Sequence, residues 1–116
     1  MAKLLVHIAT GPENPTRAAL GLLIARTAAD EGHEVRVFLA GDAVQLVREE
    51  TAAAATGIGT GPVAEHLESL RAAGVPLFLS GMSSKARGIE GGEGYELAPP
   101  QKLVELAAWS DTALVY

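Results

Sequence analysis

Cysteine is missing from all 116 residues. Its absence excludes disulfides, thiolate zinc sites and iron–sulfur clusters, along with any cysteine nucleophile or persulfide. Basic residues are scarce. Nine Lys and Arg stand against fourteen Asp and Glu. The net charge of −5 gives a mildly acidic body that nucleic-acid phosphates would repel unless cations cluster, so nucleic acid is not expected as a partner. Long apolar runs are also missing. The opening MAKLLVHIATG is interrupted at once by Pro12 and Glu13, and no window approaches the ~18 apolar residues that span a bilayer. A soluble cytoplasmic protein with no membrane partner is expected. Neither an internal repeat nor a low-complexity tail is visible.

What is present has a globular balance: 48 % hydrophobic and 20 % charged residues, without the charge excess of a disordered chain. The length suits one domain over residues 1–116. Two short apolar segments, KLLVHIA (3–9) and EVRVFLA (34–40), read as strands. Between them a helix is expected, with Asn14 as N-cap, Pro15 at its first position and Gly32 just past its end. Leu20 and Leu22 lie about 200° apart on that helix, so its apolar groups face opposite sides. A second helix or another copy of the chain has to cover Leu22, and a subunit contact is the favoured expectation.

Further along, AVQLVREE after Asp42 makes about two helical turns, and TAAAATGIGTG loses periodicity and reads as a loop. Within it, GIGTGP (57–62) resembles a phosphate loop but follows alanines instead of a strand and lacks the Lys-Ser/Thr pair, so a flexible connector is expected. Pro62 opens a helix striped by Val63, Leu67 and Leu70 and ended by Gly74, and VPLFLS (75–80) forms a third strand. The glycine-rich SGMSSKARGIEGGEGYEL reads as a long loop with at most one helical turn at 83–87. PPQKLVELAAWS then restarts a helix, and DTALVY closes as a strand. Strands alternating with helices imply an α/β fold, three layers deep, with a mostly parallel sheet of four to five strands. In such sheets ligands gather beyond the carboxyl ends of the strands.

Those ends carry the candidate residues. Ser80 could be a nucleophile at the end of the third strand, but Phe78 and Met82 stand where a nucleophile elbow needs glycine, so it reads as a polar residue closing the strand. Ser83 and Ser84 followed by KARG suit a short helix whose amides, with Lys85 and Arg87, could hold an anion. The competing reading has the serines capping a turn and the cations solvated or paired with Glu90 or Glu93. Asp42 could be a base on the same rim, although Asp just before a helix is what capping requires. Histidines at 7, 33 and 66 show no metal-motif spacing, and no metal or cofactor is expected.

Three stretches, VHIATGPENPTRAALGLLIA, GHEVRVFLAGDAVQLV and above all GVPLFLSGMSSKARGI, together resemble the DsrE/DsrF-like family over nearly the whole chain. The resemblance implies a sheet flanked by helices and assembly into trimers or hexamers, with a relative bearing cysteine as a conceivable partner subunit. It also implies that family sulfur carriers hold a persulfide on a cysteine after the third strand. Ser80 occupies that place here. An alcohol with a pKa near ~15 is neutral at pH 7, whereas cysteine ionises near ~8.5, so the relay chemistry does not carry over. The reading is therefore a non-catalytic oligomer whose strand-end pocket, formed by Thr10, Asp42, Ser80, Gly81, Ser83, Lys85 and Arg87, takes a small anion or nothing. Its rivals are an accessory subunit of a sulfur-relay hetero-oligomer and a hydrolase using Asp42 or Ser80.

Overall fold

The computed structural model describes residues 1–116. Five strands form one parallel sheet in the order β6-β5-β2-β1-β7. They are β1 (Lys3–Ile8), β2 (Glu34–Leu39), β5 (Leu77–Ser80), β6 (Glu96–Ala98) and β7 (Thr112–Val115). Helix α1 (Pro15–Asp30) crosses from β1 to β2, and its ends are set by local chemistry. Asn14 Oδ1 accepts the Arg17 amide at 3.1 Å, Pro15 fills the first position, and Gly32 turns the chain with φ +89°, a left-handed conformation that side chains resist.

Leu22 is the first correction. It is fully buried within the chain itself, because α1 packs against the sheet and also against α3 (Val63–Ala72). The second helix does the covering, and no subunit contact is needed for Leu22. Leu20, Leu23 and Ile24, on the opposite flank, are left half-buried.

The segment after β2 differs more. Gly41–Val47 is a 3₁₀ turn, Arg48 breaks it with extended angles (φ −69°, ψ 130°), and α2 spans Glu49–Ala54, so the expected helix over 43–50 is split in two. GIGTGP is no flexible connector. β3 (Thr56–Gly57) and β4 (Gly61–Pro62) pair antiparallel as a small hairpin. His66 on α3 holds it: its buried Nε2–H donates to the Thr60 carbonyl at 2.7 Å. Gly57 sits so close to Thr16 Cα and Ala19 Cβ that a methyl there would come within 3.0 Å of both.

Two cores result. On one face Val6, Ile8, Val37, Leu39 and Leu79 meet the helices α1 and α3. On the other, Leu5, Phe38, Phe78 and Ala98 meet Leu106 of α5 (Pro100–Trp109), whose last turn is held by Arg36 stacking 4.0 Å from the Trp109 ring. No helix is long and apolar enough to cross a membrane.

Candidate functional site

The carboxyl ends of β1, β2 and β5 meet at one end of the sheet, as parallel strands in register require. Directly beyond Ser80 the chain enters α4 (Gly81–Ala86), so the expected turn at 83–87 begins two residues earlier, inside the strand's own exit. Ser80 Oγ accepts the Ser83 amide at 3.2 Å and is the N-cap of that helix. Ser83 Oγ in turn accepts the Gly41 amide at 2.8 Å, tying the end of β5 to the loop after β2.

Asp42 does not cap. The residue at the N-cap of the 3₁₀ turn is Ala40, with no side-chain hydrogen bond. Instead Asp42 Oδ1 accepts both Nε and Nη2 of Arg87, at 3.2 and 3.0 Å. Arg87 Nη1 also donates to the Ser83 carbonyl at 3.1 Å, and Arg48 donates to the Arg87 carbonyl. Arg87 therefore pairs across to Asp42 and not with Glu90 or Glu93. On the other side of Asp42 the loop after β1 presses in, since a methyl on Gly11 would overlap the Asp42 carbonyl.

Of the predicted site residues, Asp42, Ser80, Ser83 and Arg87 form this one connected network. Gly81 lies beside β6, where an added Cβ would stand 3.4 Å from the Ala98 carbonyl oxygen. Thr10 is half-buried at the β1 exit, next to Gly11. Lys85 is exposed and makes no ion pair. Sequence reasoning missed Gly11, Gly41 and Arg48. A glycine within three residues of each of two adjacent strand ends was the available signal for the first two; for Arg48, in VREE, there was none.

For chemistry the network is closed upon itself. Ser80 Oγ has neither imidazole nor carboxylate bonded to it, and a hydroxyl without a base is a weak nucleophile. His7 stands opposite Phe38, which stands opposite Phe78; with two strand spacings of ~4.8 Å between β1 and β5, its ring lies beyond hydrogen-bond reach of Ser80. Burial pushes the His7 pKa below its ordinary 6.5, which favours the neutral ring, and its Nε2 has no partner. Asp42 is half-exposed, with Oδ1 held by the Arg87 guanidinium.

The profile of the DsrE/DsrF-like family matches residues 2–116. Among solved structures, the YchN protein from E. coli superposes with a TM-score of 0.82 at 24 % identity, covering 100 % of both chains; at that identity the likeness speaks for the fold. No curated protein sequence matches the chain.

Proposed function

The chain belongs to the DsrE/DsrF-like family, and from that membership and the strand-end geometry we propose that it is a non-catalytic, oligomer-forming member whose strand-end cluster has become structural. One observation carries the reading. At the exit of β5, where the family resemblance sets a sulfur-bearing cysteine, Ser80 spends its Oγ on capping α4. The hydroxyl is neutral at neutral pH and cannot displace sulfur as a thiolate does. The Asp42–Arg87 pair supports the same conclusion against a hydrolase, since Asp42 is bonded to a guanidinium and not to the Ser80 hydroxyl it would have to activate. It also weakens the case for an anion pocket, because Lys85 alone of the two cations stays unpaired.

The test uses the natural lack of cysteine. After incubation with inorganic polysulfide, intact-mass spectrometry of the wild-type chain should show no added sulfur, while Ser80→Cys should carry one sulfur atom per chain. Sulfur taken up by the wild type, or turnover lost in Ser80→Ala, would overturn the proposal.

A further inference from the structure

The last strand of the sheet ends in an open edge. β7 bonds to β1 on one side only. The Tyr116 amide donates to His7 O and the Tyr116 carbonyl accepts from Ala9, so by the alternation of a strand ladder the amides and carbonyls of Ala113 and Val115 point away from the sheet. Four backbone groups are thus presented outward along a strand, TALV, that carries no charge, no proline and no glycine. Native edges are usually blunted by such devices. The opposite edge has them: β6 is only three residues, begins at Glu96 and runs into Pro99 and Pro100.

Both faces beside the open edge are apolar as well. On one, Ala113 is exposed and Val115 is 63 % exposed. On the other, Leu114 is half-buried, as are Leu20 and Ile24 on the flank of α1 turned away from α3. That flank stands towards β7, since a methyl on Gly21 would come within 3.2 Å of Tyr116 Cβ.

We propose that β7 pairs antiparallel with β7 of a second copy of this chain about a two-fold axis at Leu114, joining two sheets into one of ten strands. The register follows from the free groups. With Leu114 opposite its own counterpart, Ala113 faces Val115 of the other copy and Val115 faces Ala113, and all four outward groups of each chain are bonded. On one face a small side chain meets a larger one in both pairs, and on the other two leucines meet. Such a contact is self-complementary, as a two-fold interface must be, whereas β7 against β6 would be heterologous and would set an uncharged strand against one that begins at Glu96 and runs into two prolines. The inference rests on the oligomeric part of the proposed function and names the surface that makes it.

The test again exploits the missing cysteine. In the proposed register the two Leu114 Cα atoms form a non-hydrogen-bonded pair ~4.5 Å apart, within disulfide range. The two Ala113 Cα atoms, and likewise the two Val115 Cα atoms, are about 8 to 9 Å apart, beyond it. Under mild oxidation Leu114→Cys should therefore run as a covalent dimer on a non-reducing gel, with Ala113→Cys and Val115→Cys remaining single chains. Separately, the double variant Ala113→Lys with Val115→Lys sets lysine opposite lysine at two exposed positions. It should halve the particle mass seen by light scattering while its circular dichroism stays that of the wild type. Equal cross-linking at the three positions, or none, overturns the inference. So does an oligomer whose mass ignores the lysines, although that result leaves the oligomeric reading standing on some other surface. A monomeric wild type overturns both and leaves the edge to a strand of another protein.

Discussion

At the scale of single residues, two polar atoms are buried without a partner, Ser84 Oγ and His7 Nε2, and each makes a measurable prediction. Ser84 and Ser80 lie in and just before the same short helix, yet their hydroxyls have opposite value. Ser80 caps the helix, a bond whose loss to alanine costs ~1 kcal/mol. Ser84 is wholly buried with its oxygen unsatisfied, a state that costs about 1 kcal/mol or more, which removal of the hydroxyl recovers. Urea unfolding should place Ser80→Ala below the wild type and Ser84→Ala at or above it; the reverse order would contradict both assignments. His7 predicts a pH effect. Its folded pKa lies below the 6.5 of an exposed imidazole because the ring is desolvated. In the window between the two values the unfolded chain binds more protons, so stability falls as pH drops below 6.5. His7→Gln removes that proton uptake. The stability advantage of the wild type over this variant should be constant above neutrality and shrink in acid; a difference that does not change with pH would show that the ring titrates alike in both states.

Elements written in local chemistry were legible in the sequence, and those written in tertiary contacts were not. α1 could be read to within a residue because Asn14, Pro15 and Gly32 act on their immediate neighbours. α3 was legible for the same reason, with Val63, Leu67 and Leu70 buried on one stripe and Gly74 at φ +73°. The stretch 43–62 was not. Its hairpin exists because Gly57 fits against α1 and His66 reaches back to Thr60, and the Ile58 amide and Thr60 hydroxyl both bond to Thr16, more than forty residues away. No window of local sequence contains both the hairpin and Thr16. β6 escaped notice because three residues cannot show a period; it is a strand only because β5 lies beside it. Leu22 was misassigned because helix periodicity tells which side a residue faces but not what stands there.

Across the whole molecule, parallel topology delivered the candidate residues to one end of the sheet, and that much was readable from strand order alone. Which of them bond to which was not, because the Asp42–Arg87 pair joins loops 45 residues apart in sequence. The outcome is a latch: the exits of β2 and β5 are tied by Arg87 to Asp42 and by Gly41 to Ser83, with Gly11 of the β1 exit wedged against Asp42. Both members of the ion pair are partly exposed, so solvent screens it, and Arg87→Ala should cost only about 1 kcal/mol of global stability. The local effect should be larger than the global one. Without the guanidinium, Asp42 and the Ser83 carbonyl lose their shared donor, the two loops part more often, and the Gly41 amide, whose acceptor is Ser83 Oγ, is released with them. Hydrogen exchange at Gly41 should therefore quicken in Arg87→Ala while amides in the middle of α1 exchange as before. Arg87→Lys keeps the charge but cannot donate to Asp42 and Ser83 in the same fork, and should fall between the two. If Gly41 exchanges at the wild-type rate in Arg87→Ala, the strand exits are held by backbone packing at Gly11 and not by the ion pair.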